Sequence, residues 1–391
     1  MLQPFLRLRR RYLPVRRWAR AVGLAAPVVV PPPPDPLAAL LPKLFRNVRA
    51  PGDLGDWLVD LAGTPEYREL TAALNERPDL RSITTADEMA TLALLVGRIR
   101  PGLTLEIGTF FAGTTRVLAE ASVAAGAGGR VITLDPFGGH RVPGILATWP
   151  EAVRAHVEYH DRTSMCFFAK LSLPKAGASP LGLVFVDGNH AFEYALFDVI
   201  RAADQLTPGG AVVIDNMDQD GPRQAAAQFL DWNPAWRLFA GGKLYSAGDP
   251  VNAELTARPA GWGVLAAPAG VQVSGTAMKS YEHSVPYQPI RAVRFHVAAV
   301  SGPGTLAVKL NYHASPRSYS VTGQGLVIDL RTAAVPVTGA GDAPAAFDPP
   351  AGFPLPEADA IVVREMEVSF TPAGGGRGFV LLDAARPFSF D

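Results

Sequence analysis

The stretch LTLEIGTFFAGTT, Leu103–Thr115, decides the fold. An apolar run, Leu103–Ile107, turns at Gly108 and passes through Ala112-Gly113 into a helix that begins near Thr114. A buried strand, a small-residue loop and a helix N-terminus together aim backbone N–H groups at a ligand.

Working outward, the chain alternates. Strands are predicted at Leu103–Ile107, Arg130–Leu134, Val157–His160, Leu183–Val186 and Ala211–Ile214. Helices are predicted near 114–125, 164–171, 191–203 and 223–230, the third burying Phe192, Leu196, Val199 and Ala203 on one face. Near-continuous apolar strands are covered on both faces, and their alternation with helices predicts a doubly wound, Rossmann-like α/β sheet. Trp236–Ala240 and Gly263–Ala266 are candidate closing strands.

On the N-terminal side, residues 36–80 read as a helical extension, with apolar residues at three- and four-residue spacing over Leu37–Val48 and Leu54–Ala62. Packing against the next domain is the expected role, with a lid or a dimerisation element as the alternative. Thr85 or Asp87 caps a further helix that runs to about Arg98. On the C-terminal side the texture changes after about residue 268. Val293, Phe295 and Val297 alternate with Arg294 and His296, and Leu306, Val308, Leu310 and Tyr312 alternate likewise. Further candidate strands are Leu326–Leu330, Ile361–Phe370 and Phe379–Leu382, which predicts an antiparallel, sandwich-like all-β domain. The expected division is therefore a basic, Pro-rich arm (1–35), a helical extension (36–80), an α/β domain (81–268) and a β domain (269–391).

Composition narrows the classes. At 48% hydrophobic and 18% charged, the chain can bury a core and is not broadly disordered. Its formal net charge is zero, and no nucleic-acid partner is expected. The first 34 residues hold seven Arg and no Asp or Glu, which suits contact with a membrane surface or an acidic partner. The single cysteine, Cys166, excludes an internal disulfide and points to the cytoplasm; in its MCFF setting it reads as a buried structural thiol. A homo-oligomer is left open.

Polar residues fall where a doubly wound sheet binds its ligand, at the strand carboxyl ends. Glu106–Thr109, Asp135, Asp187, and Asp215 with Asn216 follow four of the strands. Asp135 lies 27 residues beyond Gly108, a spacing that suits a carboxylate reaching ribose hydroxyls. The loop is not GxGxxG, which disfavours a dinucleotide and with it a nicotinamide-dependent oxidoreductase. Asp187 and Asp215 end what should be neighbouring strands, and two carboxylates with an amide oxygen suffice for Mg²⁺. His190 can accept a hydroxyl proton near neutrality.

EIGTFFAGTT, VITLDP, LVFVDGNHAFEYALFDV and LTPGGAVVIDN, in that order, resemble the class I S-adenosylmethionine-dependent methyltransferases. The closer likeness is to the sugar O-methyltransferase branch, whose fourth strand ends in a similar VDG-x-H. The catechol and caffeoyl-CoA O-methyltransferases are similar at a greater distance. The resemblance implies that Glu106, Gly108, Thr109, Gly113 and Thr114 line S-adenosylmethionine, that Asp135 takes its ribose hydroxyls, and that Thr163 and Ser164 meet its adenine. It implies Asp187, Asp215 and Asn216 as ligands of a divalent metal, Mg²⁺, and His190 as the general base. Two departures stand out: Ala112 where these loops usually carry glycine, and Arg162 where the family often has glycine. The acceptor implied is a hydroxyl of a sugar, glycan or glycosylated metabolite. A non-catalytic scaffold whose β domain binds glycan or protein is the alternative reading.

Overall fold

The computed structural model describes residues 36–48, 53–126, 128–170, 181–273, 275–286, 290–316, 327–351 and 358–391. The basic arm lies outside the described residues. Helices α1 (Pro36–Asn47), α2 (Leu54–Leu61) and α3 (Pro65–Asn75) lead into α4 (Ala86–Ile99). Side-chain caps start three of them: Asp53 accepts from Asp56 N–H, Thr64 from Tyr67 N–H, and Thr85 from Glu88 N–H. The cap of α4 is thus Thr85.

The alternating segment follows as β1 (Leu103–Ile107), α5 (Gly113–Ala125), β2 (Arg130–Leu134), α6 (Val142–Leu146), α7 (Glu151–Arg154), β3 (Val157–His160), α8 (Ser164–Lys170), β4 (Leu181–Val186), α9 (Phe192–Asp204) and β5 (Leu206–Asp215). Then come α10 (Asp220–Trp232), β6 (Arg237–Ala240), β7 (Lys243–Tyr245), α11 (Val251–Ala257) and β8 (Trp262–Ala266). These strands form one eight-stranded sheet in the order β3-β2-β1-β4-β5-β8-β6-β7. The first five run parallel, and β8 returns antiparallel to β5. All six residues of β4 are buried, as expected of a strand covered on both faces. The switch point lies between β1 and β4, so the ends of β1, β2, β4 and β5 face one crevice.

One apolar cluster joins α1–α5 to one face of the sheet through Leu41, Leu58, Leu70, Leu95, Phe185 and Val213. The helical extension is therefore packed on the sheet. A second cluster covers the other face through Leu105, Val184, Val199, Phe229 and Leu265. The side chains that α9 buries are Ala195, Asp198, Val199 and Ala202, whereas Phe192, Leu196 and Ala203 are half-buried. The predicted face was off by about one position, because reading apolar letters alone passes over the inward-pointing Asp198. Cys166 is exposed, contrary to the sequence expectation: α8 turns Phe167 and Phe168 inward and leaves the thiol outside.

Beyond β8, strands β9 (Val271–Val273), β10 (Gly275–Pro286), β11 (Ile290–Val300), β12 (Gly304–Pro316), β13 (Val327–Val337), β14 (Gly341–Ala351), β15 (Ala358–Pro372), β16 (Val380–Leu382) and β17 (Phe388–Phe390) form two antiparallel sheets. Sheet β10-β15-β12-β13 and sheet β14-β11-β16-β9, with β17 on β11, share one buried cluster that includes Phe295, Leu306, Val308, Leu310 and Phe370. Strands β10 and β14 escape sequence reading because β14 (GDAPAAFDPPA) is rich in Ala and Pro and β10 carries few apolar letters. No helix among the described residues is long and apolar enough to cross a membrane.

Candidate active site

The loop after β1 is wound tightly. Gly108, Phe110 and Ala112 have φ of 105°, 46° and 59°. At Gly108 a Cβ would lie 1.9 Å from the carbonyl oxygen of Asp187, so this glycine lets the loop cross the end of β4. Ala112 caps α5 in the left-handed conformation, and its methyl group is buried against Val142, Leu146 and Trp149. That packing accounts for an alanine where glycine would be the easier letter.

Around this loop the predicted cofactor residues hold one another. Glu106 is fully buried; its Oε2 accepts from Thr115 Oγ1 and Thr133 Oγ1, both at 2.5 Å, while its Oε1 has no partner. Burial pushes its carboxyl up to about 7, against the lowering effect of the two threonines. Thr109 Oγ1 lies 2.6 Å from Thr133 Oγ1 and extends the same network. Asp135 accepts from Phe110 N–H at 3.1 Å and Phe137 N–H at 2.8 Å, and pairs with Arg141 at 3.3 Å. Arg141 also donates to the Phe110 carbonyl and lies over the rings of Phe110 and Phe111. Thr114 faces away from this group. Its hydroxyl is 2.9 Å from both Ser82 and Thr84 and ties α5 to the segment before α4, and Gly113 packs against Leu80 and Ser82. Thr163 Oγ1 accepts from Cys166 N–H, and Ser164 is hydrogen-bonded to the buried Asp198. Burial lifts Asp198 to about 6.

Across the switch point the chemistry differs. The Asp187 and Asp215 carboxyls share a hydrogen bond. Both are raised, Asp187 up to about 9. For Asp187 burial acts first and the neighbouring Asp215 charge second; for Asp215 burial is opposed by the N–H of Asn216, which donates to Asp215 Oδ1 at 2.6 Å. Asn216 takes a left-handed φ of 56°. His190 Nε2 stands 3.7 Å from Asp187 Oδ1, and Nδ1 is 3.1 Å from Gln219 Oε1. A proton on Nδ1, donated to Gln219, leaves Nε2 with its lone pair toward the carboxylates. The backbone of His190 is fixed as well. At Gly221, in the first turn of α10, a Cβ would fall 2.0 Å from the His190 carbonyl oxygen. Buried Arg223 closes this turn by donating to Asp218 O, Asp220 and Asn252.

One member of the cluster escapes sequence reading. Glu88, in the first turn of α4, is buried, its Oε1 has no partner, and the charges of Asp215 and Asp187 act on it. Burial first, then those two charges, push it up to about 10. An acidic residue three places after a capping threonine resembles an ordinary capping pair. The usable signal was Glu88 lying on the same helix face as the apolar Leu92 and Leu95.

The structure thus brings Asp187, His190, Asp215, Asn216 and Glu88 together at the ends of β4 and β5, and Glu106, Thr109 and Asp135 at the ends of β1 and β2. Among the described residues no group of three His, Cys, Asp or Glu is placed to hold a metal ion. The expected donor set has two carboxylates and one amide, all hard oxygen donors of the kind Mg²⁺ takes. Two buried carboxylates lie together here, both raised first by burial and Asp187 further by the charge of Asp215, and a cation would relieve that desolvated charge, so these residues fit the group.

Residues 105–217 match a family model described as a methyltransferase domain. The match covers this segment alone, which is similar to that domain. The segment includes Glu106, Asp135, Asp187, His190, Asp215 and Asn216, whereas Glu88 and Gln219 lie outside it. A search of curated proteins finds no match. Among solved structures, the O-methyltransferase TomG from Streptomyces achromogenes, in complex with SAM, is 23% identical with a TM-score of 0.34, over 52% of this chain and 90% of that one. An O-methyltransferase from Bacillus cereus in complex with SAH is 20% identical with a TM-score of 0.35, over 58% and 96%. An SAM-dependent O-methyltransferase from Thermotoga maritima is 13% identical with a TM-score of 0.34, over 51% and 71%.

Proposed function

We propose that the chain is an S-adenosylmethionine-dependent O-methyltransferase that acts, with help from a divalent metal, on a hydroxyl of a sugar, glycan or glycosylated metabolite. The observation that carries this reading is the convergence of His190, Asp187, Asp215 and Asn216 beside the glycine loop of a methyltransferase domain. The sugar hydroxyl is supported by the VDGNH ending of β4, which resembles the sugar O-methyltransferase branch.

In this reading Asp135 holds the ribose of the cofactor, and the loop 106–113 with Thr163 and Ser164 encloses the rest. The acidic surroundings of Glu106 suit a cofactor that carries an ammonium and a sulfonium group. Asp187, Asp215 and Asn216 would hold Mg²⁺, which when bound lowers the pKa of a hydroxyl beside it. His190 Nε2 takes the hydroxyl proton as the oxygen attacks the methyl carbon in line with the departing sulfur. Gln219 keeps the imidazole in the tautomer this requires. The products are a methyl ether and S-adenosylhomocysteine.

The test is methyl transfer from radiolabelled S-adenosylmethionine to a panel of glycosides, with and without EDTA, for the unaltered protein and His190→Ala. Label on a sugar oxygen, lowered by about 10²-fold or more in the variant and suppressed by EDTA, is the expected result. Transfer indifferent to both would overturn the mechanism, and transfer to nitrogen or to simple phenols alone would overturn the acceptor class.

A further inference from the structure

Beside the carboxylates lies a cavity of about 220 Å³ that the reaction described above does not use. Leu61, Ala62, Tyr67, Thr91, Phe239 and Trp262 supply most of its wall. It opens between the helical extension (α2 and α3), α4, and the β6–β8 edge of the sheet.

Three connections tie it to the reaction centre. Trp262, the first residue of β8, is the register partner of Asp215, the last residue of β5. Directly opposed residues of an antiparallel pair lie about 5 Å apart at Cα. Gly261, in the cavity wall, accepts from Met217 N–H at 2.9 Å, so the wall is bonded to the turn that carries Asn216. Thr91 stands one helical turn after Glu88, whose carboxyl is within electrostatic reach of both Asp187 and Asp215. The cavity and the carboxylate cluster therefore share walls on two sides.

Its chemistry is apolar. Tyr67 and Thr91, the two lining hydroxyl side chains, both donate to the carbonyl of Asp87, at 3.4 Å and 3.0 Å. Their polar ends are engaged, and their apolar surfaces remain for a ligand. Trp262 packs against Phe239 with ring centroids 6.0 Å apart, so the sheet side of the wall is aromatic. The volume limits the guest. A cavity of about 150 Å³ lined by apolar side chains takes benzene, whereas whole drug-sized ligands occupy roughly 300 Å³ or more. This cavity holds one ring system, part of a larger molecule.

We infer that this cavity seats a single aromatic or compact hydrocarbon group of the methyl acceptor, with the reacting hydroxyl delivered to the Asp187–Asp215 pair. This rests on the sugar-hydroxyl reading for what the group is attached to: the acceptor is then a glycoside with a ring-sized apolar aglycone. An unadorned polysaccharide would leave the cavity empty.

The test uses the full chain saturated with S-adenosylhomocysteine and three probes: indole alone, a panel of phenyl hexosides, and the matching methyl hexosides. Binding is read by calorimetry and ligand-observed NMR. The variant is Ala62→Phe. Ala62 is exposed at the C-terminus of α2, so the added ring can fill the mouth with little effect on the core. Retained cofactor affinity and melting temperature confirm that the variant folds. Expected are indole binding that weakens about tenfold or more in Ala62→Phe, and a phenyl-over-methyl preference of about tenfold that the variant abolishes. Indole binding lost in the variant while no hexoside binds upholds the cavity and overturns the sugar reading. Indole that does not bind, or binds both proteins equally, overturns the cavity assignment whatever the hexosides do.

Discussion

The two halves of the catalytic crevice solve the problem of buried charge differently. At the ends of β1 and β2, Glu106 and Asp135 are held by threonine hydroxyls, backbone N–H groups and Arg141. At the ends of β4 and β5, burial and neighbouring carboxylates raise Asp187 and Glu88, while the N–H of Asn216, the hydrogen bond with Asp187 and the imidazole of His190 act against the raising of Asp215. The first half is a preformed cradle. The second is a group of raised carboxylates, which under the proposed function would receive a metal and an acceptor.

Removing charge from the second half should have the largest effect. Asp215→Asn is expected to lower kcat/KM by about 10³-fold while the affinity for S-adenosylhomocysteine changes less than about threefold. Steady-state kinetics beside calorimetry separates the two. An equal loss in both would mean that the halves are not distinct. Mn²⁺ binding, followed by EPR, should disappear in the same variant.

Gly108 joins the halves, because its loop crosses the carbonyl of Asp187. Gly108→Ala places a methyl where 1.9 Å is available, at a φ of 105° that alanine resists. A loss of about 2–4 kcal/mol in urea unfolding is expected, with cofactor binding and methyl transfer falling together. Stability unchanged from the parent would break the claimed contact.

Glu88 sharpens the comparison through pH. In the unfolded chain its carboxyl ionises near 4.5, and in the folded protein only near 10. Between those values the folded state binds more protons, so stability falls as pH rises through the window. Asp187, Asp198, Asp215 and Glu106 add to the same slope, so in EDTA Glu88→Gln should reduce it and stabilise the protein at pH 8 by about 1–3 kcal/mol, read from urea midpoints across pH. A variant with the parent's slope would show that Glu88 does not carry the effect.

How much of this could be read from the letters follows from the same physics. The ends of β1 and β2 agree with their predicted bounds because each is a largely apolar run closed by glycine or an aspartate. The clustering of Asp187, Asp215 and His190 was legible because neighbouring parallel strands end side by side whatever the details of packing. Glu88 and Asp198 were not, because a buried carboxylate on a helix carries the same letter as an exposed one. Strand β14 was hidden in alanines and prolines, and Cys166 was misplaced because MCFF does not say which of its letters faces in. Thr114 sits where expected, yet its hydroxyl bonds to Ser82 and Thr84, partners 30 and more residues away that no local pattern reveals.

Ala112 tests the cradle most gently. In the left-handed conformation alanine costs about 1–2 kcal/mol that glycine does not. Against this, its methyl is buried with Val142, Leu146 and Trp149, worth about 1 kcal/mol. The terms nearly cancel, so Ala112→Gly should shift unfolding stability by less than about 1 kcal/mol. The packing under α6 would nevertheless loosen, and α6 follows the loop carrying Arg141, whose guanidinium closes over Asp135. Faster amide exchange over residues 137–147, with little change in the urea midpoint, is therefore expected. A clear gain in stability with unchanged exchange would mean that the methyl contributes nothing to the cradle.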